Sequence, residues 1–367
     1  MISTRVDFDR WIQACPQLLA PLGNAARKRF LDDLEFNENG VAGFPVAELE
    51  DALTTEEISV ISRRLVLEGR FAGLTVEEAE RLRAQPRPAQ ASAMELKHDS
   101  FVRELMRMEL GQEPAAIGAP LQALYESLFA TEMERRDQLD NHDLALLFSA
   151  TASTAFHQRD GDLLESAAVL HGELSQRGVA TRARSLDMMR LLLGAGQLER
   201  ARTLSGANPT LPSLPSTRAS LNNPPGPAVW DLETGPDPLV QRQIDLSPFH
   251  VVARVSLACA FSRAAMEAIG NDPELGPFLR EHGTWMVEMP ELLAYARLEQ
   301  WNQANARTPV SVMAGPARWP MLEGVAEVPA FHIFKDGELV DTVKGWPLGS
   351  GNRDALLAAL ERAGIKP

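Results

Sequence analysis

From about residue 95 to residue 205, apolar side chains recur at spacings of three and four, as in Leu144, Leu147, Phe148, Thr151 and Ala155. That spacing lays one apolar stripe along a helix. Residues 1 to about 90 also read as helices. Thr54-Thr55-Glu56-Glu57 and Thr75-Val76-Glu77-Glu78 fit the capping box, in which a hydroxyl and a carboxylate satisfy the free amides of a first helical turn. Pro86 and Pro88 break the pattern between the two helical groups.

Beyond residue 227 the period changes. "AVWDLE", "LVQRQIDL" and the β-branched run "HVVARVSLA" read as strands, the last as a buried central one. A helix follows through about Ile269. Next come an acidic and aromatic stretch holding Trp285 and Trp301, and a further apolar strand, "PVSVMA". "VPAFHIFKDGELVDTVKGW" is two strands joined by the tight-turn sequence Lys335-Asp336-Gly337, and a helix from about Asn352 to Ala363 closes the chain. Between the two regimes lies "GANPTLPSLPSTRASLNNPPGP". Its six prolines, set among Ser, Asn and Gly, favour neither helix nor strand, so it reads as a linker or strap. The expected organisation is a helical region over 1–90, a second helical region over 91–205, a linker over 206–227 and an α/β domain over 228–367.

Length agrees with several domains, since 367 residues exceed what one core holds. A hydrophobic fraction of 45% with 23% charged residues is that of a globular chain with sizeable cores. The net charge of −14 repels phosphate backbones and anionic membrane surfaces, and no basic cluster offsets it. From Val229 onward 18 acidic residues face 12 basic ones, so the acidity is spread along the chain. Nucleic acid and membrane insertion are therefore not expected. No apolar run reaches membrane length, and the first residues lack a basic start followed by an apolar core. The expected compartment is the cytoplasm, or the periplasm if a signal peptide has been removed.

Two segments carry weak internal similarity. "DGDLLESA" at 160–167 and "AGQLERA" at 195–201 share Gly, Leu, Glu and Ala in order, displaced by about 34 to 35 residues. The stretch resembles tetratricopeptide-type helical repeats, whose units bury their apolar faces only by stacking on neighbours. A plain helical bundle is the alternative.

The last third holds the candidate chemistry. Cys259 ends the central strand and opens a helix, with Ser262 three residues on. This strand, Cys259–Ser262 turn and helix, then Val328-Pro329, the hairpin "IFKDGELV" and Gly345, resemble the thioredoxin-like fold over about 230–367. The resemblance implies a cis peptide before Pro329, that proline lying against the Cys259 turn, and Val328 offering backbone groups to an extended partner. Phe261, Val328, Pro329, Gly345 and Trp346 are then the candidate partner-binding residues. Seventy residues separate Cys259 from Pro329, room for an insertion that holds Trp285 and Trp301 and could cover the site or dock on the helical region.

A thiol at the first turn of a helix faces unpaired amides and the positive end of the helix dipole, which favour the thiolate. Cys259 is thus the candidate nucleophile. Serine at 262 cannot resolve a mixed disulfide, so a dithiol cycle at this site alone is excluded. A monothiol can still form mixed disulfides or a sulfenic acid. The alternative is an unreactive, small apolar residue at the helix start.

The two cysteines, Cys15 and Cys259, exclude a disulfide scaffold. The seven histidines show no metal-ligand spacing; His157 and His171 fall on helical segments. No phosphate loop, Gly-x-Ser-x-Gly or His-Glu-x-x-His occurs. No metal or cofactor is expected. The favoured function is a protein-interaction or chaperone-like adaptor binding a protein or peptide. The alternative is a monothiol thiol-disulfide oxidoreductase or redox sensor using Cys259.

Overall fold

The computed structural model describes all residues except 1, 3, 38–39, 51, 66, 68–72, 85–91, 112–115, 159–160, 219–224, 234–237, 323–326 and 350. The expected break at Pro86 and Pro88 lies outside the described residues. The chain divides into two compact units, one of Met1–Gln112 with Ile117–Met188 and one containing Met189–Pro367.

The first unit is helical. Its helices are α1 (Arg5–Ala14), α2 (Asn24–Asp33), α3 (Val46–Glu50), α4 (Thr55–Arg64), α5 (Val76–Arg83), α6 (Ala93–Gly111), α7 (Gly118–Glu134), α8 (Asn141–Gln158) and α9 (Gly161–Gln176), and α10 (Arg182–Gly194) begins in it. Both expected capping boxes form. Thr54 and Thr75 accept from the amides of Glu57 and Glu78, whose carboxylates accept from the threonine amides at 2.8 and 2.7 Å. A third box, Ser92 with Glu95, opens α6. The stripe read from the sequence, Leu144, Leu147, Phe148 and Thr151, is wholly buried along α8. Fully buried Ala150 on α8 and Ala167 on α9 leave room for close helix approach.

One departure from an all-helical reading is a hairpin of β1 (Glu35–Asn37) and β2 (Gly40–Gly43), paired antiparallel. Its sequence signal is Asn39-Gly40, a favoured hairpin dipeptide. Gly40 has φ +111°, which side chains resist.

The second unit contains α11 (Leu198–Ala207) and a mixed eight-stranded sheet. Its strands are β3 (Thr217–Arg218), β4 (Ala228–Leu232), β5 (Leu239–Gln243), β6 (Phe249–Arg254), β7 (Gly283–Val287), β8 (Val310–Met313), β9 (Ala330–Lys335) and β10 (Glu338–Lys344). They lie in the order β10-β9-β6-β7-β8-β4-β5-β3. β6, β7 and β8 run parallel, while β9 pairs antiparallel with β6 and β10 with β9. The connections carry α12 (Ala260–Asn271), α13 (Leu275–His282) and α14 (Tyr295–Ala304), and α15 (Arg353–Arg362) ends the chain. A strand ending in a cysteine turn, a helix, a parallel strand, an antiparallel hairpin and a last helix make this unit thioredoxin-like α/β. The protein is accordingly a helical region joined to a thioredoxin-like region.

Two expectations are corrected here. The stretch with Trp285 and Trp301 is not an insertion but a strand of the sheet and the connection that follows it. Trp285 is buried in β7, a central strand, and Trp301 lies on α14, where its indole N–H donates to the Thr308 carbonyl at 2.9 Å. "TWMV" is a continuous apolar run of the kind buried parallel strands show, but Gly283 and His282 beside it mask the boundary. The proline-rich segment is likewise not free of secondary structure. α11 runs into it, and Thr217 and Arg218 pair in parallel with Leu239 and Val240. Among the described residues two pair, at the sheet edge, where neighbouring prolines are tolerated.

Candidate functional site

The site is assembled by strand register. β6 and β9 are neighbours, and Arg254, the last residue of β6, lies opposite Ala330, the first of β9. The chain leaving β6 and the chain entering β9 therefore meet at the same sheet end. Cys259 is on the first and Pro329 on the second.

Cys259 is the N-cap of α12, with extended backbone and no side-chain capping bond. Its thiol, half-buried, is directed at the Val328 carbonyl oxygen at 3.7 Å, a long contact suited to a weak sulfur donor. The Val328–Pro329 peptide is cis. Pro329 is buried, and its carbonyl accepts the Gly345 amide at 2.8 Å. Gly345 has φ +77°, a conformation that glycine adopts freely. Cys259, Val328, Pro329 and Gly345, far apart in the chain, thus form one connected constellation.

The remaining candidates divide. Phe261, in the first turn of the helix, is 48% exposed and presents its ring to solvent. Ser262 is fully buried, and its hydroxyl accepts the Ser256 amide at 3.2 Å. It is a structural peg holding the turn to the helix. Trp346 is only 5% exposed, its ring 5.8 Å from that of Phe331 and against Gly351. That indole belongs to the core, which corrects its expected place among partner-contacting side chains; the apolar strand end needed covering, and the nearest large side chain supplies it.

Ser262→Ala leaves a partly buried N–H of Ser256 without its acceptor. The expected loss is about 1 kcal/mol of stability, read from urea unfolding. An unchanged unfolding midpoint would show that the hydroxyl does not brace the turn.

Residues that sequence reasoning missed surround the turn. Ser256 donates its hydroxyl proton to Glu291, itself paired with Arg297 at 2.8 Å. Arg254, almost fully buried, pairs with Glu288. His332, on β9, is fully buried with Nδ1 3.2 Å from the Thr342 hydroxyl. Burial, with a smaller contribution from the Arg254 and Lys344 cations, pushes its pKa down to about 4. Glu288 stands more than thirty residues from Arg254 and Glu291 more than thirty from Ser256, beyond the reach of any local pattern. Among the described residues no three His, Cys, Asp or Glu side chains converge as a metal site, and no helix is long and apolar enough to cross a membrane.

Comparison with known proteins adds little to this geometry. No protein-family model matches the chain, and no curated protein matches it. Among solved structures it is similar to a thioredoxin-like protein from Bacteroides caccae ATCC 43185, at 8% identity, over 76% of this chain and 98% of that one, with a TM-score of 0.25. The fold assignment accordingly rests on the strand order and the elements themselves.

Proposed function

We propose that the protein is an adaptor that binds a protein or peptide partner at the end of its thioredoxin-like region, on the surface made by the Cys259 turn, Phe261 and the Val328–Pro329 segment. The single observation that carries this reading is the fate of position 262. Its serine is buried and hydrogen-bonded into the turn, so the site holds one sulfur. A site with one sulfur has no internal route out of a mixed disulfide. An exposed aromatic side chain beside it is the residue type that anchors protein contacts. The helical region contributes tetratricopeptide-like packing in this proposal. In support, each of the two similar segments runs into a helix start, that of α9 in the first unit and that of α11 in the second.

A second reading, monothiol exchange, is favoured by the half-buried Cys259 at an uncapped helix start. There the thiolate would attack a client disulfide, forming one mixed disulfide and releasing the other sulfur as a thiolate. An external thiol would then have to free the client.

One experiment separates the two. The full chain, with Phe261→Asp and Cys259→Ala variants beside it, is used to capture partners from a lysate under non-reducing conditions. Binding predicts capture that survives Cys259→Ala and drops at least about tenfold with Phe261→Asp, as for a central aromatic anchor. Capture that vanishes with Cys259→Ala and is reversed by dithiothreitol supports exchange instead.

A further inference from the structure

Ser256 uses its amide, its carbonyl and a lone pair of its hydroxyl on the Cys259 turn, and the hydroxyl proton on Glu291. Its amide donates to the Ser262 hydroxyl at 3.2 Å, and its carbonyl accepts the Cys259 amide at 3.1 Å. Its hydroxyl oxygen accepts the Ala258 amide at 3.2 Å and donates its one proton to the Glu291 carboxylate. A hydroxyl has one proton and two lone pairs. Giving the proton to an acceptor-only carboxylate turns a lone pair toward Ala258, so Glu291 dictates how the hydroxyl meets the turn. Glu291 lies in a 3-10 helix, Met289–Ala294, after β7, and its second oxygen is held by Arg297 at 2.8 Å. Charge-assisted bonds of this kind are short and directional. The chain Arg297–Glu291–Ser256 therefore links the segment after β7, which leaves the sheet at the same end as β6, to the backbone on which Cys259 sits.

We infer that Glu291 and Ser256 are positioning residues for Cys259, holding its sulfur between the Val328 carbonyl and the free amides at the start of α12. This inference rests on the second reading above, in which the Cys259 sulfur is the reacting group. It extends that reading to residues that touch no partner. Arg263 supports the same turn from the helix side by donating to the Leu257 carbonyl at 2.7 Å.

The test is competitive alkylation of the full chain at pH 7 with iodoacetamide, the Cys259 and Cys15 peptides being quantified together by mass spectrometry. Cys15, in the first unit, is the internal reference. Ser256→Ala and Glu291→Ala are expected to slow Cys259 about fivefold relative to Cys15, the scale of one lost hydrogen bond. Ser256→Thr and Glu291→Gln, which keep the hydroxyl and an acceptor oxygen, are expected to retain the wild-type ratio. That rescue would not follow from general loosening of the fold. Arg297→Ala, which removes a half-exposed side chain, gives a variant that folds even if the alanines at 256 and 291 do not. Its expected slowing is about twofold. Wild-type ratios in the alanine variants and in Arg297→Ala would overturn the inference while leaving the binding surface intact. A Glu291→Gln ratio as low as that of Glu291→Ala would overturn it too, by making charge rather than the hydrogen bond the cause. A Cys259 that does not react at all in the wild-type chain would remove both this inference and the exchange reading, while the capture experiment would still decide binding.

Discussion

Phe331→Ala is expected to cost the thioredoxin-like region about 3–5 kcal/mol, the scale for deleting a buried aromatic ring. Phe331 is fully buried on β9, two residues after Pro329. Its ring meets Trp285 of β7 edge-on at 6.1 Å and Trp346 at 5.8 Å. One side chain therefore joins the central strand, the hairpin strand and the loop after β10. Aromatic pairs of this kind add to the burial of their surfaces, and the neighbours are too large to collapse into the space left. Phe331→Leu keeps most of the volume and is expected to recover more than half of the loss. Urea unfolding followed by tryptophan fluorescence reads both variants, since two of the indoles line the cavity. A loss below about 1.5 kcal/mol, a cost usual for a volume-conserving swap, would mean that the three rings do not form one core.

The second large expected effect is loss of stability in mild acid. Two histidines are buried in neutral form, His171 on α9 and His332 on β9, and a third, His250 on β6, is half-buried. Burial pushes the pKa of each down to about 4. His250 is also lowered by Arg242 and His282, with Asp245 opposing, and its Nε2 lies 2.9 Å from the Thr284 hydroxyl. His171 pairs with Ser185 at 3.0 Å.

In the unfolded chain a histidine titrates near 6.5. Below that pH the unfolded state binds protons that the folded state refuses until about pH 4. Stability is therefore complete above about pH 6.5 and falls as the pH drops toward 4. The slope approaches about 1.4 kcal/mol per pH unit for each fully buried histidine. From pH 6.5 to 5 the expected loss is about 2 kcal/mol per histidine, one of them in the first unit and two in the second. Glu57, Glu132 and Asp272, held below the usual carboxylate range by hydrogen bonds and cations, lose their contribution only at lower pH. In the second unit the window from 6.5 to 5 thus belongs to the histidines; in the first, burial raises Asp33, Asp99 and Asp143, whose protonation in the fold opposes part of the loss. Thermal unfolding at pH 7.5, 6 and 5 checks the slope, and His332→Gln is expected to flatten it for the second unit. A Tm constant across that range would refute the burial of neutral imidazoles.

The candidate site was only partly legible in advance. That Cys259 opens a helix at a strand end followed from the switch between a β-branched run and a helical pattern, a local signal. Val328-Pro329 was legible as the start of a strand before a tight turn. The roles of Ser262 and Trp346 were not legible. Serine at 262 could be a relic or a brace, and only the placement of its hydroxyl on the Ser256 amide makes it a brace. Trp346 follows Gly345 in a loop, where exposure is the default expectation. The packing of Phe331 beneath it turns the ring inward.

The sequence by itself determined most helices of the first unit with two of their capping boxes, the strands of the last third other than β3 and β7, and the count of one sulfur at the Cys259 turn. These depend on spacing within a few residues, and short-range hydrogen bonds and apolar periodicity are written directly in the order of side chains. Only the tertiary structure decided that β7 and β8 extend the sheet beside β6, that β9 brings Pro329 against Cys259, and that Glu291 reaches Ser256. Each of these is a pairing between segments tens of residues apart. Such pairings are selected by which buried faces fit together, and no local pattern encodes that choice.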